Sequence, residues 1–144
     1  MIDSFRDEYS FLSNMYSCKV TYKNITYDST EAAFHAQKCP ERAAEFIGLN
    51  PSASKKLGRQ VELRSDWEDV KVQIMEEIVR EKFLQNLDLQ AKLIATGDEE
   101  LVEGNWWYDT FWGVCTNRKY DHVGENHLGK ILMKVRGELS ERFR

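Results

Sequence analysis

The sequence predicts a mainly α-helical, single compact domain with a short N-terminal β-hairpin and a long aromatic loop before the C-terminal helix. Apolar residues recur at helical spacing over most of the chain after residue 30. A short alternating stretch before them is typical of strands, and an aromatic-rich stretch after residue 98 has no clean period. A chain of 144 residues is long enough for one domain with a real core but short for two, so we expect residues 1–144 to form one domain.

The composition is that of a globular protein with an acidic balance, since hydrophobic residues make up 42%, charged residues 31%, and the net charge is −4. This charge disfavours a protein that holds nucleic acid over a broad basic surface, but it allows binding at one modified nucleotide. The chain contains no apolar run of transmembrane length, and its acidic N-terminus lacks the apolar core of a signal peptide. The three cysteines are widely spaced and fit no disulfide framework. We therefore expect a cytoplasmic protein with no membrane association.

The first regular element predicted is a hairpin between Cys18 and Tyr27. Apolar and polar residues alternate on both sides of Lys23-Asn24, which suits a two-residue turn. Ser13-Asn14, inside an aromatic cluster upstream, is expected to be a loop.

Helices are predicted for most of the remaining chain. The longest begins at a capping box, with Ser65 as N-cap and Glu68 three residues later. Apolar residues at helical spacing predict one buried face on this helix and another on the last helix. The predicted helices cover residues 30–38, 41–49, about 52–58, about 65–85, 88–96 and about 125–143. The residues expected to point inward are Val70, Ile74, Met75, Ile78, Val79 and Phe83 in the longest helix, Leu89 and Leu93 in the next, and Leu128, Ile131, Leu132, Val135 and Leu139 in the last.

The segment from Thr30 to Lys38 contains the first candidate site. Ser29 or Thr30 can cap this helix, and a carboxylate in its first turn suits the positive helix end. At about 100° per residue, four side chains share one face. They are Glu31, Phe34, His35 and Lys38. This face forms one wall of a polar pocket, or else it belongs to an amphipathic helix whose acid is solvated.

The aromatic stretch 101–113 is the second candidate. Exposed tryptophan faces bind bases and sugars, Asp109 could accept hydrogen bonds from ribose hydroxyls, and Gly113 permits close backbone approach. The alternative is that Trp106, Trp107, Tyr108, Phe111 and Trp112 complete the core.

Basic and aromatic residues on the neighbouring helices allow two interpretations as well. Trp67 either points toward a pocket at the start of the long helix or packs inside. Lys55, Lys56 and Arg59 either contact a phosphate or form a solvated face.

Other chemistries lack support in the sequence. His35, His122 and His127 do not fall at metal-ligand spacing, so we expect no metal. Cys115 with His122 suggests a thiol nucleophile, but nothing completes a triad. The chain has no glycine-rich dinucleotide or nucleotide-triphosphate motif, and we expect no cofactor.

Segments in order along nearly the whole chain resemble the NADAR or YbiA-like domain family. The matching segments are residues 11–14, 29–38, 57–59, 66–67, 82–83, 85–86, 93–98, 101–103, 109–113, 124–129 and 132–136. Two departures affect the expected rim of the site. Cys115 stands where the family often has glycine, and residues 106–108 are aromatic where many members are polar.

The resemblance implies a mainly α-helical domain that acts on N-glycosidic bonds of ribosyl compounds. Some members hydrolyse phosphorylated early intermediates of riboflavin biosynthesis, and others remove ADP-ribose from guanine in DNA. The expected substrate is therefore a phosphoribosyl or ADP-ribosyl compound, including modified DNA. By match to the family motifs, the functional core is Glu31, Trp67, Asp109 and Trp112, supported by Asn14, Lys38, Gly113 and Asn126.

The chemistry of the bond suggests a role for each group. Breaking C1′–N builds positive charge on the sugar, which the carboxylate of Glu31 can stabilise while it positions or deprotonates water. Lys38 either binds phosphate or forms a Schiff base with the opened ribose. Trp112 or Trp67 would stack on the leaving base, and Asp109 would hold ribose hydroxyls. A non-catalytic ADP-ribose reader and a purely structural interaction protein are the competing functions, and the sequence gives no oligomeric state.

Overall fold

The computed structural model describes residues 1–117 and 122–142, and helices make up most of their regular structure. These residues form two compact units. The central unit comprises residues 14–87. The terminal unit comprises residues 1–13 and the described part of residues 88–144. Within the described ranges, no helix combines the length and the apolar character needed to cross a bilayer.

A hairpin opens the central unit. Strand β1 (Ser17–Tyr22) pairs antiparallel with strand β2 (Ile25–Ser29), with Val20 opposite Tyr27. The connecting Lys23-Asn24 has φ values of 49° and 68°. Two successive residues in this left-handed region are the mark of a two-residue type I′ turn, which matches the right-handed twist of the strands.

Helix α1 (Thr30–Ala36) follows β2 without a linker. The hydroxyl of Ser29 accepts a hydrogen bond from the Ala32 N–H at 3.1 Å, so Ser29 is the N-cap. The helix is shorter than predicted. Lys38 lies beyond its end, in a turn where its N–H donates to the His35 carbonyl at 3.2 Å.

Two short helices follow. Residues Pro40–Phe46 form a 3₁₀ helix where the sequence predicts an α-helix over 41–49. This helix ends earlier than predicted because the backbone becomes extended at Ile47. Helix α2 (Pro51–Gly58) begins with proline at its first position, and the Asn50 side chain accepts from the Ala53 N–H at 2.8 Å.

The capping box predicted at Ser65 is wrong. Helix α3 (Trp67–Gln85) begins one residue later than that box requires, with Asp66 at the N-cap position and no side-chain cap. The reason is an ion pair, since the Arg64 guanidinium binds the Asp66 carboxylate with an Nε–Oδ1 distance of 2.6 Å. This pair fixes the turn that leads into the helix.

The predicted inward face of α3 is buried except at Val70, which is half-buried. This face packs on α1 and on β1. The buried apolar residues of the central unit include Val20, Tyr22, Tyr27, Ala32, Ala33, Phe34, Phe46, Ile74, Met75, Ile78, Val79 and Phe83. Helix α1, which carries the first candidate site, therefore lies against a buried apolar core.

The terminal unit begins with a 3₁₀ helix (Asp7–Leu12) and includes α4 (Leu87–Ala95) from residue 88 onward. Two-residue strands β3 (Gly104–Asn105) and β4 (Val114–Cys115) pair in parallel within the aromatic stretch. Helix α5 (His127–Glu141) starts two residues later than predicted, and Phe143, its predicted end, lies outside the described residues. The apolar residues predicted to point inward from α4 and α5 are buried.

Candidate active site

A carboxylate and an imidazole form a close polar pair on one face of α1. The Oε1 atom of Glu31 lies 2.7 Å from Nε2 of His35, and the two side chains are 15% and 9% exposed. Their spacing of four residues places them one helical turn apart, which explains the contact. The carboxylate is thus largely withdrawn from solvent, so the solvated-acid interpretation does not hold.

The loop around Asn14 fixes the start of α1. The N–H of Glu31 donates to the Asn14 carbonyl at 3.0 Å, which satisfies one of the unpaired donors of the first turn. The Asn14 side-chain amide donates to Sδ of Met75 at 3.5 Å. Asn14 therefore positions the backbone that carries Glu31, and it also ties that backbone to α3.

Trp67 is a buried packing residue at the start of α3. Its ring lies 5.0 Å from the Phe34 ring, measured between centroids, at an interplanar angle of 53°. The Lys38 ammonium sits 6.0 Å from the Trp67 ring centroid, at the outer limit of a cation–π contact. Trp67 thus supports two side chains of the predicted polar face.

Lys38 stands among charges of both signs. Burial lowers the pKa of its ammonium, the Glu31 carboxylate raises it, and the positive charges of Arg59, Lys55 and Lys71 lower it further. Lys71 is paired with Glu68 at 2.6 Å. The outcome is a depressed lysine pKa within a group of four cations that has two carboxylates, Glu31 and Glu68, beside it. This excess of positive charge favours an anionic ligand.

Asp109 and Trp112 belong to the terminal unit. Oδ1 of Asp109 accepts hydrogen bonds from the N–H groups of Phe111 and Trp112 at 3.1 and 2.9 Å. The buried Asn105 side chain binds both backbone groups of Asp109, accepting from its N–H at 3.0 Å and donating to its carbonyl at 2.9 Å. Asp109 therefore shapes this loop through Oδ1, and Oδ2 has no partner among the described residues.

Gly113 and Asn126 pack and hydrogen-bond the same loop against residues 101–103. A Cβ at Gly113 would lie 1.8 Å from Oε2 of Glu103 and 2.1 Å from its carbonyl oxygen, so only glycine fits. The Asn126 side chain accepts from the Glu103 N–H at 3.0 Å and donates to the Leu101 carbonyl at 2.9 Å. The Asn126 amide thus binds main chain through both its oxygen and its nitrogen, immediately before α5.

Three rings of the aromatic stretch are not core residues. Trp106, Trp107 and Tyr108 are 62%, 44% and 55% exposed, so the core interpretation is wrong for them. Trp112 is half-buried, with its ring edge against Phe111 at a centroid distance of 4.8 Å. The exposed rings offer flat apolar faces to a ligand.

Sequence reasoning missed two residues that the geometry makes important. Asn105 braces the Asp109 loop, and no motif marks it. Gly58 lies against the His35 ring; its sequence signals, the end of α2 and the family-matching segment 57–59, gave no indication of this contact. Residues 1–117 and 122–142 contain no group of three or more histidine, cysteine or acidic side chains that could hold a metal ion.

Comparison with known proteins places these features in context. Residues 3–140 match the model of a family described as NADAR domain. The chain is 41% identical to a riboflavin biosynthesis protein of Vibrio vulnificus over 140 residues, which cover 94% of this chain and 37% of that protein. It is 39% identical to an N-glycosidase of Nostoc punctiforme over 139 residues, covering 91% of this chain and 86% of the relative. The chain thus spans well under half the length of the Vibrio protein.

A solved structure resembles the whole chain. The NMR structure of the Escherichia coli protein YbiA matches with a TM-score of 0.82 at 31% identity, covering 99% of this chain and 89% of that one. The YbiA sequence from E. coli, a protein named as an N-glycosidase, is 34% identical over 142 residues, covering 95% of this chain and 86% of YbiA.

Proposed function

The chain belongs to the NADAR domain family, and on that premise we propose that it is an N-glycosidase hydrolysing the C1′–N bond of a ribosyl substrate. The observation that carries this proposal is the Glu31 carboxylate, which is 15% exposed and held by His35 at 2.7 Å. The names of the Nostoc and E. coli relatives support the same reaction. The match of one family model to residues 3–140 also supports treating residues 1–144 as one domain.

The proposed reaction needs one carboxylate near C1′. The electron pair of the C1′–N bond leaves with the nitrogen, and positive charge develops on C1′ and the ring oxygen. The Glu31 carboxylate stabilises that charge and takes a proton from the attacking water. The hydroxyl of that water bonds to C1′, and the departing nitrogen gains a proton from solvent. Glu31 then returns the proton it took to solvent, so that one water is consumed in all. No redox step is involved.

Lys38 is proposed to bind a phosphate of the substrate. Its ammonium lies among the charges of Arg59, Lys55 and Lys71, and such a group attracts phosphate oxygens. The second role open to Lys38 is a Schiff base, in which its neutral amine condenses with the ribose aldehyde and releases water. The lowered pKa of Lys38 makes the amine accessible at less alkaline pH than usual.

The proposed substrate is a phosphate-bearing ribosyl compound of one of two classes. A phosphoribosylamino-pyrimidine of riboflavin biosynthesis is supported by the name of the Vibrio relative. ADP-ribosylated guanine in DNA is supported by the exposed faces of Trp106 and Trp107 in the terminal unit, since such faces stack on bases. In that unit Trp112 and Asp109 keep the proposed binding roles, with Oδ2 as the ligand-facing oxygen of Asp109.

A non-catalytic ADP-ribose reader is the competing proposal, and the Glu31 geometry argues against it. A carboxylate that is mostly buried loses hydration, and here the His35 ring is placed to compensate as a dedicated hydrogen-bond donor. A protein that only binds ADP-ribose does not need this arrangement, whereas a glycosidase needs a carboxylate close to C1′.

A parallel assay of both substrate classes tests the function. Wild type and Glu31→Gln are incubated with a phosphoribosylamino-pyrimidine and with ADP-ribosylated DNA, and release of base or ADP-ribose is followed. Exposed Glu62 in the same unit provides the control Glu62→Gln. Turnover by wild type and Glu62→Gln with loss in Glu31→Gln supports the proposal. Tight ADP-ribose binding without release from either substrate would favour the reader.

A further inference from the structure

We infer that His35 is a positioning residue, whose Nε2–H holds the Glu31 carboxylate in its working orientation while Gly58 fixes the imidazole from the other side. The inference rests on the proposed function, in which Glu31 is the reacting carboxylate. It concerns a contact within α1 and a contact between α1 and α2, both inside the central unit.

The first contact selects one conformation of the acid. A glutamate side chain has three rotatable bonds, and in the first turn of a helix several of its rotamers are open. The 2.7 Å contact between Nε2 of His35 and Oε1 of Glu31 favours one of them. A carboxylate hydrogen bond to a ring N–H is directional, so it orients the free oxygen as well.

The second nitrogen of the ring determines which group donates. Nδ1 of His35 is buried and has no hydrogen-bond partner among the described residues. A proton on Nδ1 would be a buried donor with no acceptor, which is unfavourable, whereas a bare lone pair costs less. Nε2 is therefore the nitrogen that carries a proton and donates it to Glu31. Glu31 is then the acceptor in this pair.

Gly58 keeps the ring in this place. A Cβ at Gly58 would lie 2.7 Å from Nδ1, 3.0 Å from Cγ and 3.1 Å from Cβ of His35. Gly58 is the last residue of α2, so the backbone of α2 directly abuts the imidazole. The ring is confined between that backbone and the carboxylate, and any larger residue at position 58 would press it toward Glu31 or separate the two helices.

Three variants separate positioning from simple packing, with kcat and KM measured on whichever ribosyl substrate the wild type turns over. His35→Gln keeps an N–H donor close to the Nε2 position, whereas His35→Leu fills a similar volume without a donor. Gly58→Ala keeps both polar groups and crowds Nδ1. Gly137→Ala is the matched control, since a Cβ at Gly137 on α5 meets no atom within 4 Å. Thermal melting of each variant checks that it is folded.

We expect His35→Leu to lower kcat about 100-fold with little change in KM, the size of effect expected when a reacting group is misplaced. His35→Gln should recover most of that loss. Gly58→Ala should lower kcat in the same direction, and Gly137→Ala should match wild type. A folded His35→Leu enzyme with wild-type kcat would overturn the inference. Should His35→Leu fail to fold, Gly58→Ala decides, and an unchanged kcat in that variant overturns it.

Glu31→Gln in the same assay separates the two proposals. An active Glu31→Gln enzyme contradicts the proposed function itself. An inactive Glu31→Gln enzyme together with a fully active His35→Leu enzyme leaves the function standing and removes only the positioning role.

Discussion

The ammonium of Lys82 lies 5.8 Å from the ring centroid of Tyr16, inside the central unit, and only 1% of the lysine is exposed. Burial lowers the pKa of Lys82 from 10.5 to about 8, and the neighbouring Cys18 thiol offsets part of that shift. The buried Lys82 lowers the free energy of unfolding at neutral pH, because the folded protein must hold a desolvated charge.

This burial predicts a pH dependence of stability. The unfolded chain keeps the Lys82 proton up to its ordinary pKa of 10.5, whereas the folded chain releases it near pH 8. The unfolded state binds more protons between these values, so the Lys82 contribution to the unfolding free energy rises with pH, by about 3 kcal/mol in total. Urea denaturation from pH 7 to 10.5 should therefore show a steeper rise for wild type than for Lys82→Met. If the unfolding free energies of the two proteins rose equally with pH, the lowered pKa of Lys82 would be contradicted.

Replacement of the reacting carboxylate should separate catalysis from binding. Glu31→Gln removes the charge but keeps the shape of the side chain, and kcat should fall about 10²- to 10⁴-fold. The dissociation constant for substrate, measured by calorimetry on the inactive variant, should remain close to the wild-type KM. A loss of binding as large as the loss of kcat would instead assign Glu31 to ground-state recognition.

The cations in the last turn of α2 and just after it should determine KM rather than kcat. Lys55 and Arg59 are exposed and act electrostatically on Lys38, so Lys55→Gln and Arg59→Gln should each raise KM and reduce its increase with salt. Competition by inorganic phosphate should weaken in parallel. Lys130→Gln makes the same charge change at an exposed position of α5 and provides the control. Equal KM values for all three variants would place the phosphate elsewhere.

The role of Lys38 can be decided by chemical trapping. If its ammonium binds phosphate, Lys38→Arg should retain activity within about tenfold, because the positive charge is kept. Borohydride added during turnover should then leave no adduct on Lys38 in the peptide mass map. An adduct that appears on Lys38 and grows with pH would show the Schiff base instead, since the neutral amine is the reactive form.

Gly113 should be a packing requirement of the Asp109 loop. The Cβ added by Gly113→Ala would overlap Oε2 and the carbonyl oxygen of Glu103 at 1.8 and 2.1 Å. We expect a loss of about 1–3 kcal/mol in the unfolding free energy, the usual cost of overpacking. Gly137→Ala, in an open position on a helix, should be neutral or stabilising by up to about 1 kcal/mol. Similar stabilities for the two variants, measured by urea denaturation, would refute this account.

The sequence predicted those features that depend on neighbours within one helix. The buried faces of α3 and α5 follow from a 3.6-residue period, and the Glu31–His35 contact follows from a spacing of four. The Ser29 cap was one of two adjacent candidates, and the structure selects it. Each of these depends only on positions along the chain, which the sequence lists completely.

Features that depend on a particular side-chain pairing or on a second element were missed. The start of α3 depends on the pairing of Arg64 with Asp66, which no propensity rule includes. The fit of Gly58 against His35 requires the approach of α2 to α1. The strands around Asn105 are two residues long, too short for any period to reveal them. The roles of Asp109 and Trp112 toward a ligand stay predictions.

The join between Ser29 and Thr30 makes chain length itself a constraint on this protein. Ser29 is the last residue of β2 and also the cap of α1, so no spare residue separates strand from helix. One residue inserted or deleted between the hairpin turn and Glu31 would rotate the carboxylate by about 100° around the helix axis. The number of residues between the turn at Lys23-Asn24 and Glu31 thus sets the direction in which the carboxylate points. We expect homologues to vary in length before this turn and to keep the same number of residues between the turn and the glutamate.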